Sequence, residues 1–480
     1  MLNFGEALSG ASRRLAICAA GTLGSVGAAS AGSAETPAVE RVAGLFAERL
    51  AVAGGHVWAW SSDLEIRRGE GGRVASGVIW NQPPGTPAVG GAFLALHEIT
   101  GDERWLRSAE ASGEALLLGQ LVSGGWFNFT QTDAGERAAW CYRSDGVDRA
   151  DCAAIDGNER RNEGLLDDNI TQSALGFLLW LEARSNALRP RLREAVNYGL
   201  GEIIASQHPN GAWSPFLDRD ADRALFVAAA QARRPGSWSR RWVKPEDPPY
   251  FVLNDHLMRN TIRLLLSAEA ARDDPRLLAA ARRAGEFLVA AQLPAPQRAW
   301  AQSYDSEMTP VWGRPFEPPA AASAETAGAI DSLARLYLRT GNARYLQSAL
   351  DAAAWLRDVR LPDGDWARFY ELGTDRPLFV RADGALTHAP EGLREGYAQR
   401  GGFGVERALR FVEAVARGDR PEAEGAFDWI FEPRPERLAA AALELVVDEA
   451  DDMGRVIEDG WIRSQTFVDA TLALKQAGAR

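Results

Sequence analysis

The sequence predicts an all-α protein: an α/α toroid built from repeated helical hairpins, with few or no strands. Three observations carry that prediction. Four stretches of the chain, residues 88–126, 172–213, 256–300 and 325–366, follow one plan. Within them apolar residues recur at i, i+3, i+4 and i+7, which gathers them on one face of a helix. Alternating runs of Val, Ile and Thr, the mark of half-buried strands, are scarce.

Each repeat opens with an apolar helix, turns through a short polar segment (TGDERW, NALRPRL, RDDPRLL, TGNARYL), continues as a more charged amphipathic helix and ends at a tryptophan. An apolar first helix and a charged second helix suit an inner and an outer ring. Helices near 405–416, 435–448 and 463–476 are expected to close the ring, and one near 38–52 to pack at its other end. Trp126, Trp213, Trp300 and Trp366 recur at the end of the second helix and read as plugs between hairpins. Two loops, 127–166 and 214–250, are far longer than the ~15 residues a compact fold normally leaves unstructured, which marks them as functional segments.

The chain has 480 residues and a formal net charge of -12. That charge excludes general binding to nucleic acid or anionic membranes, though a locally basic cleft can still hold a polyanion. Nearly all basic residues are Arg, with Lys244 and Lys475 the only lysines; the guanidinium fork suits carboxylates. Arg13 and Arg14 precede a mildly apolar stretch from Leu15 to Ala28, and Ala29-Ser30-Ala31 and Gly32-Ser33-Ala34 read as cleavage sites. Residues 1–34 are therefore expected to be an export signal and 35–480 a single toroid domain with a C-terminal helical extension. The protein would be periplasmic or extracellular. No stretch approaches the ~18 apolar residues of a membrane span. Export would favour a disulfide between Cys141 and Cys152, which share one polar loop.

In a hairpin the first helix starts at the end where the second finishes, so the first-helix starts and the tryptophan loops share one rim. Those starts carry Asp167, Asp168 and Asn169, then Asn254 and Asp255, then Ser323 and Glu325. Such residues also cap helices, worth ~1 kcal/mol each. Three equivalent positions beside Arg-rich loops point instead to a metal or substrate site, and clustered carboxylates are hard ligands that suit calcium. The scattered histidines and few cysteines give no zinc pattern. Residues 299–319 add Asp305, Arg314 and Glu317, and residues 365–384 add Arg368, Arg376 and Arg381. Trp312 and Trp238, in long loops, are candidates for stacking on sugar rings.

From about Gly124 to Gly384 these motifs resemble the pectate lyases of polysaccharide lyase family ten. GGW at 124–126 followed by LDDN, QHPNGAW followed by VLNDH, WAQSYD, GRPFEPP and WARFYELGTDRPLF stand in the family's order. The resemblance implies a calcium-dependent toroid enzyme acting on polygalacturonate, with Asp168 and Asp255 as calcium and substrate carboxylates. Arg314 and Arg368 would bind substrate, joined by Asn169, Asn254, Asp305 and Trp312. The family's catalytic arginine stands in a Gly-Arg-Asp-Gly stretch. Here the chain reads Val380-Arg381-Ala382-Asp383-Gly384, so an ungapped match puts Ala382 at the base and a one-residue slip gives the role to Arg381. Lys244, Tyr370 and Tyr397 are alternative acids or bases. Two other readings stay open: a glycoside hydrolase using Asp168 and Asp255 as its acid and base, and a non-catalytic protein that binds acidic glycans.

Overall fold

A computed structural model describes residues 34–480 apart from 151, 153–159, 218–230, 243–250, 421–427, 432–435 and 479–480. The expected export signal, except for Ala34, and Lys244 lie outside the described residues.

The four hairpins form where the repeats lie. They pair α2 (Thr86–Thr100) with α3 (Glu103–Gly119), α5 (Ile170–Glu182) with α6 (Arg189–Ser206), α7 (Leu257–Ala271) with α8 (Pro275–Ala291), and α9 (Ser323–Thr340) with α10 (Ala343–Asp358). A short α4 (Ala134–Arg137) lies in the first long loop. The turn chemistry repeats. Gly101 and Gly341 end α2 and α9 in the left-handed conformation, both at φ 70°. One residue later Asp102 and Asn342 cap the next helix through the backbone N–H groups of Arg104 and Arg344. Asp274 does the same for α8.

The first helices form the inner ring. Every residue of α5 is buried, as is every residue of α2 from Thr86 to Leu96; a helix apolar on all sides has to be enclosed. Around the ring α13 (Ser464–Gly478), α2, α5, α7, α9 and α11 (Val405–Ala416) pack in that order, with α3, α6, α8 and α10 outside. The ends of the chain differ from expectation. Helix α1 (Glu35–Leu45), extended by a π-turn to Leu50, packs on α12 (Glu436–Glu449) and α13, so both termini sit together beside α2. Pairing of residues 59–61 with 461–463 holds them there. The four-residue turn Asp428–Phe431 lies against α2 and α5, its Trp429 and Phe431 seated over Gly176 and Gly91.

Strands among the described residues are only two to four residues long. They build two four-stranded sheets. One joins 461–463, 59–61, 67–69 and 72–73; the other joins 386–387, 377–380, 369–371 and 320–322. The four tryptophans are plugs: each is buried, and each indole N–H donates to a last-turn carbonyl of its own second helix, at Leu116, Ile203, Leu288 and Leu356. Gln120, Gln207 and Gln292 tie each second helix to the next through the carbonyls of Ala195, Ala280 and Ser348. Cys141 and Cys152 form a disulfide.

Candidate functional site

Two inner-ring helices begin with the same unusual turn. Before α5, Asp168 and Asn169 are left-handed at φ 50° and 57°; before α7, Asp255 and His256 repeat this at 48° and 59°. Left-handed backbone is costly for residues with a Cβ, and Asp and Asn tolerate it best. The two turns pack on each other. Carboxylate oxygens of Asp167, Asp168 and Asp255 come within 4.8 Å of one another. Asp167 was legible as a rim carboxylate but belongs in the group with Asp168 and Asp255. One of its oxygens, Oδ1, is buried with no hydrogen-bond partner. Burial and the charge of Asp255 push its pKa up to about 6. Asn254 donates to Asp255 Oδ2 at 2.8 Å, and Asn169 donates to the Trp429 carbonyl while its own carbonyl oxygen is buried and unpartnered.

Cationic and aromatic groups continue from there. Arg314 lies 3.8 Å from Asp255 and 2.5 Å from Glu317. Glu317 also accepts from Gln302 at 2.7 Å and from the Tyr397 hydroxyl at 3.3 Å. Arg368 donates to the same hydroxyl at 3.3 Å and to the Ala398 carbonyl, and its guanidinium lies 4.3 Å over the Tyr397 ring. Burial pushes the Tyr397 hydroxyl well up, so it keeps its proton. Glu325 is buried with Oε2 unpartnered, and burial raises its pKa to about 7 even with Arg368 pulling it down. His256, half-buried by exposed area, is held neutral by desolvation and by the facing guanidinium groups of Arg259 and its neighbours.

Other sequence candidates stand elsewhere. Asp305 Oδ1 accepts from the backbone N–H groups of Glu307 and Thr309, so it shapes its own turn. Trp312 is only 7% exposed, donates to the Ser239 carbonyl and meets Trp238 edge to face. Its ring is a wall, not a stacking platform. Tyr370 is buried, with its hydroxyl bonded to Val359 and Ala367 and its pKa pushed up to about 12, a plug rather than an acid or base. Arg381 is exposed. Residues 381 and 393 pair across a narrow bridge while Arg394 N–H bonds to Val380, so Arg381 and Arg394 fall on opposite faces. Arg394 shares the face of buried Val380 and lies 4.7 Å over the Phe316 ring, which Arg314 also covers. Strand parity sets neighbouring side chains on opposite faces, so Arg381 stands across the strand from the face that Arg394 takes. Arg394 carried no sequence signal, since it lies in no repeated motif; His256 closes the VLNDH motif, where the reading singled out only Asn254 and Asp255.

Asp168 and Asp255 open into a cleft of about 890 Å³, walled by Trp58, Arg68, Glu458 and Arg463 from the two ends of the chain. Hard oxygen ligands at one end and guanidinium groups along the sides suit an anionic, hydroxyl-rich ligand.

No protein-family model matches the chain, and no curated protein matches it. Among solved structures it is similar to a family 10 polysaccharide lyase from Cellvibrio cellulosa, at 18% identity and a TM-score of 0.46, covering 69% of this chain and 97% of that one. It is also similar to the GH76A alpha-1,6-mannanase from Salegentibacter sp. HEL1_6, at 13% identity and a TM-score of 0.44, covering 93% and 100%. A D-mannose isomerase matches at 12% identity and a TM-score of 0.46, covering 92% and 97%.

Proposed function

We propose that this protein is a lyase cleaving an acidic polysaccharide of the polygalacturonate type by calcium-assisted β-elimination. One observation supports the reading most. Asp168, Asp255, Arg314 and Arg368, drawn from four separate motifs of the family resemblance, belong to one connected group: two carboxylates in mutual reach, Arg314 beside Asp255, and Tyr397 bridging Glu317 to Arg368.

Asp167, Asp168 and Asp255 fit a calcium ion, since all three offer hard oxygens and one oxygen of Asp167 is buried without a partner. Bound there, calcium would supply positive charge against the uronate C6 carboxylate and make the C5 proton more acidic. Arg314 and Arg368 would pair with the same carboxylate and stabilise the charge that develops on it in the transition state. A base removes the C5 proton, the C4–O4 bond breaks and a C4–C5 double bond forms. Tyr397, which keeps its proton and touches Arg368, is suited to protonate the departing O4. Arg394 replaces Arg381 as the candidate base, because it is the arginine of this loop on the Phe316 side. We read the enzyme as exported, periplasmic or extracellular, supported by the leader-like sequence and the Cys141–Cys152 disulfide.

One observation favours a hydrolase instead. Asp167 and Glu325 have pKa values raised to about 6 and about 7, and a protonated carboxyl beside an ionised one is what glycoside hydrolysis requires. The product decides. Incubation with polygalacturonate should give an ultraviolet-absorbing unsaturated end that chelator abolishes, lost in Arg394→Ala and kept in Arg381→Ala. Reducing ends without that absorbance would establish hydrolysis and overturn the lyase reading.

A further inference from the structure

The cleft beside Asp168 and Asp255 extends well past them, onto a sheet made from both ends of the chain and outside the stretch that carries the family resemblance. Antiparallel pairing sets Arg463 opposite Ala59, Ala59 opposite Arg68, and Arg68 opposite Arg73. Directly opposed residues share a face, so three arginines and one alanine stand in a single row across four strands. Neighbouring strands lie ~4.8 Å apart, which separates Arg463 from Arg68 by about 10 Å at the backbone.

The small central residue matters. Ala59, Arg68 and Arg463 line the cleft with Asp168 and Asp255. Ala59 and Ser61 are also low enough for the Arg68 guanidinium to cross their strand and lie 4.0 Å over the Trp461 ring. Arg67, one residue earlier, faces the other way and donates to the carbonyls of Ala75, Ser76 and Val78. The alternation therefore separates a structural arginine from arginines offered to the cleft. The acidic groups of the same wall are partly engaged: Glu458 accepts from Thr466, and Asp469 from Gln465. Glu70 is the exposed carboxylate nearest the row in sequence. The Arg463 guanidinium has no hydrogen bond or ion pair among the described residues. A protein of net charge -12 has to attract a polyanion through local positive charge, and Arg68 and Arg463 supply it in the cleft that the aspartates share.

We propose that Arg463 and Arg68, on the wall this row forms, are a binding subsite for the carboxylates of sugar units flanking the one held at the aspartates. The inference rests on the acidic-glycan reading above and adds to it. The row makes the enzyme prefer long anionic chains, because a longer chain presents more carboxylates to these arginines than a short one held at the aspartates.

Calorimetric titration of the full-length protein with trigalacturonate and with a long oligogalacturonate tests this, read beside cleavage of the same ligands. The parent should bind the long chain at least about tenfold more tightly, as one or two charge-assisted contacts would give. An Arg68→Gln, Arg463→Gln double variant should bring the long chain to the affinity of the trimer and leave the trimer unchanged. Arg→Lys at both positions should keep part of the preference, and matching thermal unfolding curves would show that each variant folds. Equal weakening of both lengths, or an unchanged preference for the long chain, would overturn the subsite. Length-dependent binding without cleavage would sustain it while the lyase reading falls; no binding of either ligand to the parent would end both.

Discussion

Four consecutive-pair residues, Asp168 with Asn169 and Asp255 with His256, hold left-handed backbone at the starts of α5 and α7. Such conformations cost about 1–3 kcal/mol each for residues with a Cβ, and the folded core has to impose them. What they achieve is direction: they turn Asp168 and Asp255 toward each other and toward Asp167. If that cluster holds calcium, adding calcium should raise the thermal midpoint of the parent, since a ligand that binds only the folded state stabilises it. Asp255→Asn should lose most of that shift while unfolding at a similar temperature without calcium; an equal shift in the variant would remove Asp255 from the site. Glu325 allows a second test. Its pKa is raised from 4.5 to about 7, chiefly by burial. A folded-state pKa above the unfolded one stabilises the fold below pH 4.5, and that contribution disappears as pH rises through 7. The loss is on the order of 3 kcal/mol at about 1.4 kcal/mol per unit. Glu325→Gln should match the parent in acid and exceed it in stability above neutrality in calcium-free buffer. Stability differences that stay constant across that range would show that burial does not raise the Glu325 pKa.

Between elements, the inner ring carries a charge link as well as apolar packing. On α9, Asp331 accepts from buried Arg263 on α7 at 2.6 and 2.8 Å and from Arg335 one turn on. Burial alone would raise the Asp331 pKa, but the guanidinium charges of Arg263 and Arg335 hold it well below the usual carboxylate range. The stability it contributes is therefore present at neutral pH and lost only in strong acid. Asp331→Ala removes a carboxylate from two guanidinium groups, one of them buried, and should cost about 3–5 kcal/mol in urea unfolding at neutral pH. A cost below about 1 kcal/mol would mean water replaces the carboxylate. No sequence pattern announced this link, because Arg263 and Asp331 are 68 positions apart and read as ordinary charges within helical repeats. The hairpins themselves were legible for the opposite reason: their apolar period, turn glycines and terminal tryptophans are all local. The rim carboxylates were legible because the repeats put them at equivalent starts. The surroundings of Asp305 and Trp312 were not legible, since a motif fixes where a side chain is attached and not whether its turn or its neighbours engage it. The face that Arg381 takes turns on a single residue of strand parity, which the motif does not fix.

Across the whole molecule, the four repeats do not complete the toroid alone. The chain ends meet in one sheet beside α2, and the turn Asp428–Phe431 reaches back to α2 and α5, where Trp429 and Phe431 cover Gly176 and Gly91. None of this was legible from local pattern, because the contacts join residues more than 200 positions apart, such as Asn169 with the Trp429 carbonyl. That hydrogen bond links the turn to the start of α5 and so to the aspartates. Gly176→Ala tests the arrangement with opposite signs for its two outcomes. In the middle of a helix the change should by propensity alone stabilise by about 1 kcal/mol. A Cβ at Gly176, however, would stand 2.7 Å from the Trp429 ring and 2.8 Å from Ile430. The turn would have to move, and overpacking of this kind costs about 1–3 kcal/mol. The variant should therefore unfold at lower denaturant than the parent and bind calcium more weakly, as Asn169 loses its anchor. A more stable variant with unchanged calcium binding would mean that the 428–431 turn does not fill the space over α5, and that the aspartates are positioned by the hairpins alone.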